Sequence, residues 1–313
     1  PSGSDRALIA CIRHRLTMPR LVPEAPEEIA NIIFCLQKAN LPKEFLFPWS
    51  EALKEAADLI PSMHSVQKAR ARNTLAQLAA GDPTIRPYWH DVFAKINETK
   101  NCKPCACNSC EECGLVIPRG IVNVDPTTNF LLQPYARRLG QYLYDLRDTC
   151  LNLFGEKIFW YYPKSFNEIE LSTWFDRAIT RLRSGLSTLE VAAYGDDSLV
   201  GRMVGGVVKW FCGDFSKFDR HQNELTMAIQ KLLMVFAGWS EEALAFWTEM
   251  VTSTTARVRL RLAKFAVKFK HDIFRLTGGA ETATGNVAVN FVVTSWVYAR
   301  YPLDIVAGYA KTG

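Results

Sequence analysis

The chain has 313 residues, 48% of them hydrophobic, 22% charged and 12% aromatic. That balance excludes a disordered segment and a disulfide-stapled miniprotein, and the length suits one large enzyme or about two domains. Thirty-seven Lys and Arg against 32 Asp and Glu leave a net charge of +5, which permits nucleic-acid binding without requiring it.

Residues 1–5 read Pro1-Ser2-Gly3-Ser4-Asp5, with neither Met nor a signal-like segment, as expected of a processed or excised piece of something longer. From residue 7 to residue 100 the apolar positions recur at helical spacing, broken at Pro23, Pro26, Pro42, Pro48, Pro61, Pro83 and Pro87, which predicts a mostly helical half. Residues 101–114 have no periodicity and predict a loop carrying Cys102, Cys105, Cys107, Cys110 and Cys113. Residues 115–123 read as extended chain and residues 129–153 as helix. Residues 189–194 and 204–212 are β-rich runs punctuated by Gly195, Gly201, Gly205 and Gly206. Residues 222–237 predict an amphipathic helix, and Ser240 followed by Glu241 and Glu242 opens another, with a hydroxyl cap and acids at its positive end. Residues 255–275 alternate as strands do. Residues 282–299 are apolar on nearly all faces, which predicts a helix buried in the fold. Asn290, Thr294 and Ser295 interrupt it, so no run has the ~18 apolar residues of a membrane span, and a soluble protein is expected.

Three short patterns carry chemistry. Tyr194-Gly195-Asp196-Asp197 places two carboxylates at a glycine-assisted turn, where a hairpin would present both acids to a shared divalent cation. A Gly-Asp-Asp triplet arises by chance about 0.04 times in a chain of this composition, so it weighs more than a solvated turn would. The second pattern, Asp214-Phe215-Ser216-Lys217-Phe218-Asp219, ends the apolar strand that precedes it and leads into a helix. Two aspartates at that spacing arise by chance about 0.6 times, so its weight comes from position. In the third, Gly278, Thr282 and Asn286 recur every fourth residue from a glycine loop into a helix, so Thr282 and Asn286 face the same object.

Together these patterns resemble the palm motifs of viral RNA-directed RNA polymerases: Asp-x4-Asp, Gly-x3-Thr-x3-Asn and the Gly-Asp-Asp hairpin. In most members the hairpin comes last. Here it precedes the other two, an order that resembles the permuted polymerases of permutotetraviruses and, more distantly, of birnaviruses. The resemblance implies an α+β right-hand fold, its antiparallel palm sheet flanked by helices and its fingers largely helical, with no recognisable thumb. The expected division is 1–114 for a helical fingers region with the Cys-rich loop, 115–188 for further fingers, and 189–221 for the palm hairpin and metal-binding strand. Residues 222–275 would supply helices and a basic finger hairpin, and 276–313 the loop-helix motif.

The resemblance assigns Asp214, Asp196 and Asp197 to two Mg²⁺ (or Mn²⁺) ions, and Asp219, Asn286 and Thr282 to the ribose 2′-hydroxyl, with Gly278 in the nucleotide-binding loop. A reverse transcriptase also carries Tyr-x-Asp-Asp but places a bulky aromatic where this chain has Asp219, so ribonucleotides are favoured. Ile117-Pro118-Arg119-Gly120-Ile121 resembles the basic finger motif, with Arg119 on incoming phosphates. Arg257, Arg259 and Arg261 alternate with apolar residues and predict one cationic strand face on RNA. Arg137 and Arg138 are expected to face solvent, and Lys311 to be incidental. The implied partners are an RNA template and primer, NTPs and other viral replication proteins, in a replication complex of the host cytoplasm. Five thiolates within twelve residues suit structural Zn²⁺, with a reduced loop, an iron–sulfur cluster or disulfides as alternatives. A rival from another class is a non-catalytic zinc- and RNA-binding replication protein on the same fold.

Overall fold

Proline punctuation sets out the first helices. Pro26 opens α1 (Pro26–Lys38), where the missing amide hydrogen costs nothing, with Glu27 and Glu28 in the first turn and Lys38 in the last. Pro48 precedes α2 (Trp49–Leu59), and a 3₁₀ turn at Ile60–Ser62 leads to α3 (Ser65–Ala79). The computed structural model describes residues 9, 26–80, 90–101, 116–124, 126–163, 167–214, 222–252, 255–260, 265–270 and 278–301. Among them, no helix is long and apolar enough to cross a membrane.

The helical expectation fails at residue 90. His90–Asn101 is strand β1, pairing antiparallel with β2 (Val116–Asn123) and parallel with β8 (Thr255–Leu260), which forms a hairpin with β9 (Phe265–Lys270). The sheet order is β2-β1-β8-β9. In β1, Val92, Phe93 and Ile96 fall at i, i+1 and i+4, a spacing a helix would share. Backbone partners from β2 along most of β1, and from β8 at His90–Val92, decide the outcome.

The predicted helix over 129–153 is instead α4 (Pro126–Asp145), a 3₁₀ turn (Leu146–Asp148) and strand β3 (Leu151–Leu153). Strand β4 (Glu156–Tyr161) follows, then helix α5 (Glu168–Ser184), whose first turn is capped by Asn167 accepting from the Ile169 amide at 3.0 Å. Strands β5 (Leu189–Tyr194), β6 (Asp197–Val204) and β7 (Val207–Asp214) complete a five-stranded sheet of order β3-β4-β5-β6-β7. All neighbours are antiparallel except β4 and β5, and α5 makes the crossover between those two.

Successive strand residues point to opposite faces, and both faces of this sheet are covered. Trp160 stacks on Phe291 of helix α8 (Thr282–Arg300), ring centroids 5.1 Å apart, and its indole N–H donates to Ser295 Oγ at 2.9 Å. Tyr161 stacks on Trp174 of α5 at 4.9 Å. Fully burying an aromatic side chain such as Trp160 or Phe291 contributes about 1.5–3 kcal/mol. Helix α8 also leans on α4 and on α6 (Glu224–Phe236), while α7 (Glu241–Thr252) packs on α4. As expected, Ser240 caps α7, its Oγ accepting from the Ala243 amide at 3.3 Å. The architecture is the expected α+β class: a mostly antiparallel five-stranded sheet flanked by helices.

Glu190 of β5 is fully buried and receives two bonds of 2.7 Å from the Arg181 guanidinium and one of 2.7 Å from Ser187 Oγ. Burial pushes its carboxyl up, and those hydrogen bonds oppose the push.

Candidate active site

The Gly-Asp-Asp hairpin is tighter than its sequence suggests. Tyr194 pairs directly with Asp197, leaving Gly195 and Asp196 as a two-residue loop. Gly195 has φ +64°, a conformation that side chains other than glycine's adopt at a cost, and this suits the first position of a primed hairpin turn. The two acids therefore do not share the tip: Asp196 occupies the turn and Asp197 begins β6. Both are exposed.

On its other side β6 pairs with β7, and the first rung of that ladder joins Asp197 to Asp214. Residues 17 positions apart in sequence thus meet at one end of the sheet, with Asp196 next in line. Acidic residues directly opposed on antiparallel strands repel, and a divalent cation with oxygen ligands relieves that repulsion, so the donor set suits Mg²⁺ or Mn²⁺.

Helix α8 holds this end of the sheet. Asn290, fully buried, donates from Nδ2 to the carbonyl oxygens of Gly195 at 3.3 Å and Asp197 at 3.0 Å, and its Oδ1 accepts from Thr294 Oγ1 at 2.8 Å. Sequence reasoning saw Asn290 only as a break in an apolar run; the available signal was an amide one turn after Asn286 in a helix otherwise buried. Asn286, itself buried, sits one turn nearer the helix start, and Thr282 another turn back, partly exposed. At a rise of about 1.5 Å per residue, each step is about 6 Å along the axis. Gly278 lies in the turn before the helix rather than on it.

That turn is anchored from two directions. The Gly278 amide donates to Val122 O of β2 at 3.0 Å. Asn129 of α4 donates to Gly278 O at 2.7 Å and accepts from the Ala280 amide at 2.8 Å. Glu281, buried at the end of the turn, accepts from the Trp247 indole at 3.1 Å. Asn129 is a second residue that the sequence did not reveal, because its partners are 149 and 151 positions away.

The basic segments belong to the other sheet. Arg119 lies on β2 opposite Lys95 of β1, and Arg257, on β8, pairs with Asp91 on the far side of the same strand. Arg259 follows on β8, opposite Ala266. Two basic stretches more than 130 residues apart in sequence thus share one four-stranded sheet. Asp219, Arg261 and the five cysteines Cys102, Cys105, Cys107, Cys110 and Cys113 lie outside the described residues, as does Lys311. Among the described residues no cluster of three or more His, Cys, Asp or Glu side chains is arranged to hold a metal; of Asp214 only the backbone is described. Arg138 does not face solvent: its guanidinium lies 3.7 Å over the Phe47 ring. Arg137 is exposed, as expected.

Comparison with known proteins bears on this geometry. Residues 208–308 match the family described as RNA dependent RNA polymerase. The chain is 36% identical over 85 residues to the RNA-directed RNA polymerase 2a of alfalfa mosaic virus, covering 27% of this chain and 10% of that protein. It is 33% identical over 84 residues to the methyltransferase/helicase/RNA-directed RNA polymerase of raspberry bushy dwarf virus, covering 27% of this chain and 5% of that one. The aligned stretches thus span a tenth or less of these two curated relatives. The family match covers about a third of the chain and includes Asp214, Asp219, Gly278, Thr282 and Asn286. The matched family segment begins at residue 208, after the Gly-Asp-Asp hairpin.

Proposed function

We propose that the chain is the catalytic part of a viral RNA-directed RNA polymerase whose palm motifs are permuted, the hairpin at 194–197 taking the place that follows the loop-helix motif in most relatives. The observation that carries this reading is the rung joining Asp197 to Asp214, with Asn290 of the loop-helix segment bonded to the same hairpin. Function depends on where side chains meet rather than on their order along the chain, so permutation is compatible with an intact site.

In this reading Asp214, Asp196 and Asp197 hold two divalent cations, Mg²⁺ or Mn²⁺, which when bound lower the pKa of a primer 3′-hydroxyl and neutralise charge on the triphosphate. Asn286, Thr282 and Asp219 bind the ribose and distinguish its 2′-hydroxyl from hydrogen, and Gly278 lets the loop backbone approach the nucleotide. Arg119 steadies incoming phosphates, while Arg257, Arg259 and Arg261 hold RNA. The five cysteines bind structural zinc, which metal analysis of the purified protein tests. The enzyme works with a template, a primer and NTPs, alongside other viral proteins in a replication complex of the host cytoplasm.

The test is extension of an RNA primer on an RNA template with Mg²⁺. Incorporation of the templated ribonucleotide, with Asn286→Ala narrowing discrimination against the matching deoxyribonucleotide, supports the reading. Absence of templated incorporation by the folded protein contradicts it.

A further inference from the structure

The turn that opens α8 contains Gly278 and Gly279, and consecutive glycines leave a backbone many conformations. A larger residue does not fit at 279, where a Cβ would lie 2.8 Å from Glu281 Oε2 and 3.0 Å from Thr282 Oγ1. The turn therefore depends on an outside grip, and Asn129, in the first turn of α4, supplies it with both ends of one amide. Its Nδ2 donates to Gly278 O at 2.7 Å and its Oδ1 accepts from the Ala280 amide at 2.8 Å. Because those groups belong to residues on either side of Gly279, the two bonds fix the torsions between them. Asn129 itself cannot follow a moving turn, since its neighbours Thr128 and Phe130 are buried. Further along α4 the same helix meets α8 again, closely enough that a Cβ on Gly140 would lie 3.1 Å from Thr284 Cγ2.

We propose that Asn129 is a positioning residue for ribose selection. By holding Gly278 O and Ala280 N it sets where α8 begins, and so where its first residue, Thr282, and Asn286 one turn on are presented to the sugar. A contact to one hydroxyl depends steeply on placement, and a shift of about 1 Å can cost about 10²-fold. The proposal rests on the polymerase reading for the identity of the sugar; the grip itself is measurable without catalysis.

The test compares templated incorporation of a ribonucleotide and of its deoxyribonucleotide by wild type, Asn129→Ala and Asn129→Ser, whose shorter hydroxyl cannot span both groups. The control is Asn40→Ala. Asn40 makes the same pair of bonds, Nδ2 to Cys150 O and Oδ1 from the Asn152 amide, each 2.9 Å, at strand β3 on the edge of the five-stranded sheet opposite β7. Thermal melting is expected to fall similarly in all three variants. The ratio of kcat/KM for the two sugars falls about tenfold in the Asn129 variants, carried by the ribonucleotide, and stays at the wild-type value in Asn40→Ala. Added to Thr282→Ala/Asn286→Ala, Asn129→Ala causes no further loss of discrimination, because it acts through those two residues. Hydrogen exchange at the Ala280 amide is slow in wild type and in Asn40→Ala, and fast in the Asn129 variants.

Wild-type discrimination in a folded Asn129→Ala protein overturns the proposal. So does equal loss in Asn40→Ala, an additional loss on top of the Thr282 and Asn286 substitutions, or fast exchange at Ala280 in wild type. In each of these results the wild-type enzyme still extends primers, so the polymerase reading stands. A folded wild-type chain that incorporates no templated nucleotide overturns that reading and the proposal with it, even where Asn129 protects the Ala280 amide.

Discussion

Asn290 donates a hydrogen bond to the backbone carbonyl of Asp197, 93 residues away, from a position with no exposure to solvent. A buried amide with all three of its described bonds made is a rigid element. It ties the register of α8 to the turn that carries Asp196, so the loop-helix segment and the acidic hairpin move as one piece.

Replacing Asn290 by Leu removes both bonds to the hairpin and leaves two carbonyl oxygens without this donor. The expected cost is about 1–3 kcal/mol in urea unfolding. In primer extension, the Mg²⁺ concentration giving half-maximal rate rises several-fold while the NTP KM changes less, because the turn and not the nucleotide contact has been loosened. Thr294→Val, which removes only the bond to Asn290 Oδ1, shifts the Mg²⁺ dependence in the same direction and less far. Unchanged Mg²⁺ dependence in a folded Asn290→Leu protein contradicts the positioning role.

Gly195→Ala forces a side chain into left-handed backbone space, at a cost of about 1–2 kcal/mol. The Cβ itself would meet nothing within 4 Å, so the penalty is conformational rather than steric. Extension activity is expected to fall much further than stability, as the turn relaxes and Asp196 shifts. Parallel losses of activity and stability would show the turn to be structural only.

The Arg181–Glu190 pair gives the opposite signature. Arg181→Met strands a fully buried carboxylate and is expected to cost about 3–5 kcal/mol by urea denaturation. At a permissive temperature, metal dependence and ribose discrimination should match wild type, because the pair lies on the face of the sheet covered by α5, with the Arg181 guanidinium 4.3 Å over the Phe159 ring.

Alkaline pH provides a further check on packing between α4 and the segment after α1. Tyr142 donates to Pro42 O at 3.0 Å, and burial, with a contribution from Glu44, raises the pKa of its hydroxyl. A folded pKa above the unfolded value of 10.0 means that this contribution to stability is whole below pH 10 and is lost as pH rises through the folded value. Thermal melts from pH 8 to about 11.5 should show wild type losing stability above pH 10 more steeply than Tyr142→Phe. Identical profiles would mean the hydroxyl is not buried as described.

The parts readable from sequence were those with local signals. Ser240 with two following glutamates marks α7, and a stretch apolar on nearly all faces marks α8. Gly195-Asp196 marks the hairpin, though not that Asp197 belongs to the strand, which the pairing with Tyr194 decides. Strand β4 escaped because it is buried on both faces: Trp160 meets α8 and Tyr161 meets α5, so no alternation of apolar and polar residues remains to betray it. Strand β1 reads as helix in the sequence because its apolar spacing suits either state. Asn290 and Asn129 act on backbone atoms about a hundred residues away or more, and nothing within a local window distinguishes such an amide from a surface residue. The rung between Asp197 and Asp214 is not legible in the sequence; it follows from the Gly205-Gly206 turn that folds β7 back along β6.

Whether Asp197 and Asp214 serve one metal site is decided by Mn²⁺ binding, measured by paramagnetic resonance in wild type, Asp197→Asn, Asp214→Asn and the double variant. Two carboxylates that share the same ions would lose them together, so either substitution alone is expected to weaken binding nearly as much as both. Losses that add independently, or a folded Asp197→Asn protein that binds Mn²⁺ as wild type does, would contradict it.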